Sequence, residues 1–152
     1  MPVSTLAIAL SSDHVPPRQP PPLLRVNCFE VLIGDREIGF SEVGRLTSDT
    51  ELPGLPDRPV HRFATVVLRR ALTTSTELYD WRRGIVSGKD DRRDVTIRQL
   101  SAPGGKIVNS WRLIGAWPCR WSGPAFDAMK HDIACEEIEL TFQDVVWLGA
   151  ET

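Results

Sequence analysis

Long apolar runs are missing from this 152-residue chain, and so is a surplus of charge. Nothing approaches the roughly 20 consecutive apolar residues of a membrane span, so insertion of the subunit into a membrane is not expected. The apolar run at residues 6–10 is short and has no Lys or Arg before it, so no signal peptide is expected either. Lys and Arg number 18 against 20 Asp and Glu, and the resulting charge of −2 gives no electrostatic case for gripping nucleic acid or an anionic membrane. Cysteine is sparse: Cys28, Cys119 and Cys135 are odd in number and form no C-x-x-C, which points to free thiols in a reducing compartment. His14, His61 and His131 are far apart and fall in no metal-binding spacing. Cys135 and His131 share one segment, where a nucleophile and its base seldom find the required geometry. Pro103-Gly104-Gly105-Lys106 lacks the rest of a phosphate-binding loop. No catalytic residue, metal ligand or cofactor is assigned.

What the chain does have is a well-patterned stretch at residues 66–121. Thr74 and Glu77 stand at capping-box spacing, which predicts a helix starting near Thr74. Leu78, Trp81 and Ile85 then recur at helical intervals on one face, and Gly88 is the natural stop. Such a helix of about three turns is too short to persist alone and has to lie on a sheet. On both sides the period changes to two. Residues 62–69 carry apolar side chains on both parities, as a strand with both faces partly covered would. Val95 and Ile97 alternate with Thr96 and Arg98, and a Pro103-Gly104-Gly105 connection leads into a strand holding Trp111 and Leu113. Trp117 and Trp121 flank Pro118, which interrupts ladder pairing and marks an edge or a bulge. Aromatics are enriched at subunit contacts, and these two are candidates for one.

In order and spacing this stretch resembles the tail tube proteins of contractile phage tails and phage-tail-like injection systems, and is similar to type VI secretion tube proteins. The resemblance rests on Leu68-Arg69-Arg70-Ala71, Glu77-Leu78-Tyr79-Asp80-Trp81, Gly88-Lys89, Arg92-Arg93-Asp94-Val95-Thr96-Ile97 and Ala116-Trp117-Pro118-Cys119-Arg120-Trp121-Ser122-Gly123-Pro124. Residues 29–43 and 136–142 fit the family's first hairpin and last strand. The resemblance implies a mainly β (α+β) fold: an antiparallel sandwich or barrel with one flanking helix. It also implies a structural protein whose copies form rings, by analogy hexameric, stacked into a tube that carries cargo protein or DNA. The implied partners are further copies of the chain, adjacent rings, the sheath, and the spike or baseplate. The implied setting is the bacterial cytoplasm during assembly and then the finished particle.

Two parts are organised around this stretch. Residues 1–24 form a proline-rich arm, with Leu6, Ile8 and Leu10 as candidate anchors on a neighbouring subunit. Residues 25–152 form the barrel-like domain. It opens with a strand at 25–33, a Gly34-Asp35 turn and a strand from Arg36 to about Val43. Beyond Gly44 the chain departs from the family, passing through Arg45, Asp49 and Glu51 to Leu52 with little between, where relatives carry a long charged hairpin. That segment supplies candidate ring contacts, as does the charged turn of Asp90, Arg92 and Arg93, whose alternating signs can set register between neighbours. Its shortness, with the proline arm, points to the alternative of an initiator or adaptor ring joining spike to tube; a monomeric β-barrel binding module is the more remote one. Residues 134–142 form the clearest two-faced strand, and by the resemblance Glu137, Glu139, Thr141 and Gln143 face the lumen.

Overall fold

The computed structural model describes residues 24–47, 50–51, 60–61 and 64–150. The anchors Leu6, Ile8 and Leu10, and Asp49, lie outside these. Among the described residues there are ten strands and one helix: β1 (Phe29–Ile33), β2 (Arg36–Ile38), β3 (Glu42–Val43), β4 (Thr50–Glu51), β5 (Val60–His61), β6 (Ala64–Ala71), α1 (Glu77–Val86), β7 (Arg93–Leu100), β8 (Ile107–Ser122), β9 (Cys135–Phe142) and β10 (Asp144–Trp147). All pairing is antiparallel.

Two sheets face each other across one core. The first runs β2-β1-β7-β8, with β10 on the far side of β8; the second runs β8-β9-β6-β3. The sheets share β8, whose first part pairs with β7 and β10 and whose last part pairs with β9. The bend comes at Gly115. Its φ of +61° belongs to the left-handed region, and a Cβ there would meet the Gln143 side chain at 3.0 Å. The Gly115 N–H donates to the Asp94 carboxylate at 3.0 Å, and the β7–β8 register slips a residue at this point. A second bulge follows at Pro118, as the sequence predicts: Pro118 faces Leu140 and Arg120 faces Glu139, with Cys119 left over. The sandwich is not closed into a barrel.

The opening hairpin differs from the sequence reading. The first strand begins at Phe29, and the single strand expected at 36–43 is two. β2 pairs with β1, and after Gly39 the chain crosses to the other sheet, where β3 pairs with β6. A run of eight residues cannot serve both sheets without such a break. β4 and β5 form a separate two-stranded ladder after Gly44. Strand β6 also differs. Val66, Leu68 and Arg70 are buried while Val67 is exposed, so one face is covered and the other bare.

The helix starts at Glu77, not at Thr74. The capping box does not form, because the Glu77 carboxylate is drawn elsewhere: one oxygen lies 3.1 Å from Arg70 and the other 3.0 Å from Arg36. The Thr76 hydroxyl instead donates to Asp80, and the Ser75 hydroxyl accepts weakly from the Glu77 N–H. Gly88 ends the helix as expected, with φ +91° and with bonds from Gly88 N to Ile85 O and from Lys89 N to Gly84 O. Leu78 and Trp81 enter the core beside Val31, Ile33, Val95, Leu113 and Ile138, and Ile85 packs at its margin.

One buried ion network fixes the helix to both sheets. Arg70 is 6% exposed and Glu136 2%. Arg70 Nε donates to Glu136 at 2.6 Å, and the second Glu136 oxygen accepts from the Trp121 indole at 3.1 Å. Tyr79, from the helix, meets Trp121 edge-on at 5.1 Å between ring centroids. Removing one partner of such a pair strands a buried charge, whereas removing both does not. Arg70→Ala is therefore expected to cost about 3–5 kcal/mol in chemical denaturation, and Arg70→Leu combined with Glu136→Leu to recover most of that. A loss below ~1 kcal/mol in the single variant would show that the pair contributes no more than a solvent-exposed one does.

Candidate functional site

The cleft beside the helix is lined by Arg36, Glu77, Asp80, Lys89, Asp91 and Arg93, with Arg36 paired to Glu77 and Arg93 to Asp91, and no Cys or His lines it. Nor do three or more His, Cys, Asp or Glu side chains gather as a metal site anywhere among the described residues. Among the described residues no helix is long and apolar enough to cross a membrane. Cys135 donates to the Ile133 carbonyl. Burial raises the Cys119 thiol above its ordinary value, with the Glu139 carboxylate adding to the effect, which disfavours the thiolate a nucleophile needs. What the fold offers instead is edges and bare faces.

The most open edge belongs to β10. Among the described residues it pairs with β8 alone, and its outer side is unpaired. Trp147 stands 68% exposed there, stacked on Trp111 at 6.2 Å and 11°, with its indole donating to Asn109. Val146 and Leu148 are exposed beside it. The other edges are short or covered. β2 and β3 are brief, and at the far part of β8 Arg82 of the helix donates to the Pro118 carbonyl. Trp147 was not singled out by sequence; the Val145-Val146-Trp147 run after Asp144 is the signal that could have found it.

Trp117 and Trp121 do not share one surface. Trp121 is turned to Glu136 and Tyr79 inside the chain. Trp117 is half-buried and lines a shallow surface with Ile85, Gly88, Lys89, Asp90 and Arg92. The charged turn divides similarly. Arg93 folds back, pairing with Asp91 at 2.8 Å and lying over the Trp81 ring at 4.7 Å, while the Trp81 indole donates to the Asp91 carbonyl. Asp90 and Arg92 stay largely exposed, 3.4 Å apart. Arg45 is exposed, and Glu51 lies in β4.

The two-faced strand is β9. Glu136, Ile138, Leu140 and Phe142 are buried, as the alternation predicts. On the other face Glu137 and Glu139 are half-exposed beside Val67, Arg120 and Ser122, and Arg69 lies 3.7 Å from Glu137. Thr141 departs from this set: it is buried, with its hydroxyl donating to the Ala64 carbonyl. Gln143 is exposed just past the strand, against Gly115. This outer face mixes two cations with two anions and has no dominant sign.

The model of the T4-like virus tail tube protein gp19 family matches residues 25–146. Among solved structures the chain is similar to one in the PVC sheath–tube complex, an extracellular contractile injection system in the extended state. The two are 26% identical with a TM-score of 0.70, and the match covers 84% of this chain and 93% of that one. A chain of the anti-feeding prophage tube terminating cap matches with a TM-score of 0.77 at 21% identity, over 93% of this chain and 99% of that one. Hcp1 from Flavobacterium johnsoniae matches at 0.58 and 16%, over 82% and 98%. The last two show likeness of fold. No curated protein sequence matches the chain.

The Asp91–Arg93 pair gives a pH test of how the charged turn is held. The Arg93 guanidinium, by hydrogen bonding, holds the Asp91 carboxyl below its ordinary 3.8, against an opposing effect of burial. A group lowered in the folded state adds stability above its unfolded value, and that stability is lost as pH falls through the folded one. Asp91→Asn should therefore lower the denaturation midpoint at pH 7, and the difference from the parent should shrink below about pH 4. A difference unchanged between pH 7 and pH 3 would place the contribution outside the ion pair.

Proposed function

The chain belongs to the T4-like virus tail tube protein family, and on that premise we propose that it is the bulk subunit of an inner tube, assembling into hexameric rings through its open sheet edges. A structural tube role is the family's. The ring, its size and its contacts are our reading, and the observation that carries it is the unpaired β10 edge with Trp147 and its apolar neighbours bare. An unpaired edge risks uncontrolled association, and a head-to-tail ring closes it through the next copy. Such a contact joins β10 to a different edge of its neighbour, and β2 is the opposite edge of the same sheet.

Rings stack into a hollow tube within a sheath and on a spike or baseplate, as the PVC sheath–tube relative suggests by its own setting. The outer face of β9 and β6 is our candidate for the lumen, with Glu137, Glu139 and Arg69 lining it. Its balance of charge suits the passage of cargo protein or DNA that must slide and not adhere. The 1–24 arm and the surface of Trp117, Asp90 and Arg92 are further candidate contacts between subunits. Assembly takes place in the bacterial cytoplasm and the product is a phage tail or phage-tail-like particle. The ladder of β4 and β5 after Gly44 supports the bulk role over the initiator role, because a paired segment does stand where the resemblance places a long charged hairpin.

Native mass spectrometry and negative-stain microscopy of the protein, alone and mixed with the system's spike, test this. Six-membered rings that grow into tubes are expected. Rings that appear only on the spike and stop there would make it the initiator, and monomers under every condition would overturn the assembly reading.

A further inference from the structure

Between β1, β7 and β8 on one side and β3 on the other the chain has an apolar groove of about 500 Å³. Phe29, Val43, Leu46, Ile97 and Trp111 line it, and among the described residues Glu42 is the one charged side chain that does. A groove of that size and lining suits the apolar side chains of a peptide segment. Its rim is bare as well: Val26, which lines it, is 88% exposed, and Leu24 just before it 49%.

The described N-terminal end of the chain stands at this groove. Gln99, another lining residue, donates through its side chain to the Arg25 carbonyl at 2.9 Å, and the Leu100 N–H donates to the Cys28 carbonyl. Residues 25–28 are thus held along the end of β7, and the segment before them departs from the groove's rim. That segment is matched to an apolar site. Residues 2–12 carry no charged side chain, and they hold the run Leu6-Ala7-Ile8-Ala9-Leu10. In an extended segment alternate side chains share a side, so Leu6, Ile8 and Leu10 point one way, and the small Ala7 and Ala9 allow close approach on the other. Residues 52–59, which also lie outside the described ones, fit less well because they carry Asp57 and Arg58.

The spacing decides whose groove is filled. Proline fixes φ and holds the residue before it extended; within residues 15–22 Arg18 alone is neither a proline nor followed by one. Such a sequence favours about 3.1 Å per residue, so the 13 residues from 11 to 23 reach up to about 40 Å. A domain of about 130 residues measures roughly 35 Å across. The reach therefore matches one subunit width and ill suits a return to the rim it starts from.

We propose that Leu6, Ile8 and Leu10 of one copy lie in the groove of an adjoining copy. The inference rests on the tube reading above, which holds copies side by side, and it names the site that receives the arm. Donor and receiver surfaces differ, so the contact is heterologous and passes in one direction from copy to copy.

The test uses the full-length chain with Cys28, Cys119 and Cys135 changed to Ala, its folding checked by circular dichroism and its assembly by native mass. Ile8→Cys and Ser41→Cys, the second at the groove's exposed margin, are made separately, mixed one to one and assembled, on the spike where the protein does not assemble alone. A disulfide between them can join only different copies. Mild oxidation, read by peptide mass, should give the mixed dimer about tenfold or more above a control pairing Ile8→Cys with Lys130→Cys, because docking raises the effective concentration of the two thiols. Adding Leu6→Asp and Leu10→Asp to the Ile8→Cys variant should return the yield to the control. Control-level dimer in well-formed rings would overturn the proposal. So would a single chain carrying both Ile8→Cys and Ser41→Cys that closes on itself while the mixed pair stays at control level, since the arm would then cover its own groove. Leu55→Cys joining Ser41→Cys where Ile8→Cys does not would give the groove to residues 52–59 instead. Protein that stays monomeric throughout would overturn the tube reading as well, a separate outcome.

Discussion

Strand β8 has to satisfy two sheets at once, and the rest of the fold is arranged around that demand. Its first half hydrogen-bonds to β7 and β10 and its second half to β9. A straight strand cannot do both, so the chain bends at Gly115, where a side chain would be strained and would strike Gln143. The Asp94 carboxylate holds the bend from β7 by accepting the Gly115 N–H. Because β8 turns from one sheet to the other, β10 is left at a margin with its outer side unpaired. The edge proposed to join subunits is thus a consequence of how the core is closed.

The buried network around Arg70 solves a second problem, that of placing a helix too short to be stable alone. Leu78 and Trp81 supply the apolar contact, but apolar contact has little direction. The chain of Arg36, Glu77, Arg70, Glu136 and Trp121 supplies it, tying the helix start to β2, β6, β9 and β8. The same arrangement sacrifices the capping box, since Glu77 cannot both reach back to the helix start and meet two guanidinium groups. Across the helix's other end, Arg82 covers the far edge of β8. One element thereby blocks an edge while the network keeps it in register.

Features set by local period were readable in the sequence: the helix with its Gly88 stop, the two-faced β9, the hairpin into β8 and the bulge at Pro118. Each depends on a few neighbouring residues whose side chains alternate or whose backbone is restricted. The division of residues 36–43 between two sheets was not readable, because it is decided by β6, a partner distant in sequence. The burial of Arg70 was hidden for the same reason, although Glu136 stood on the apolar parity of its strand and so pointed at the pair. As for the candidate contact surfaces, Trp117 and the Asp90–Arg92 turn were visible as chemistry. Trp147 stands out only once exposure is known, since an apolar residue in a sequence looks the same whether it is covered or bare.

The central claim is that sheet edges of adjacent copies pair, and amide hydrogen exchange at β10 tests it most directly. The Leu148 N–H turns inward to the Ser110 carbonyl, so strand alternation turns the Trp147 N–H outward, away from β8. In the lone chain that amide should exchange quickly, and in assembled rings it should become protected along with its neighbours. Equal exchange of the Trp147 amide in monomer and assembly would contradict edge pairing, however well formed the rings were.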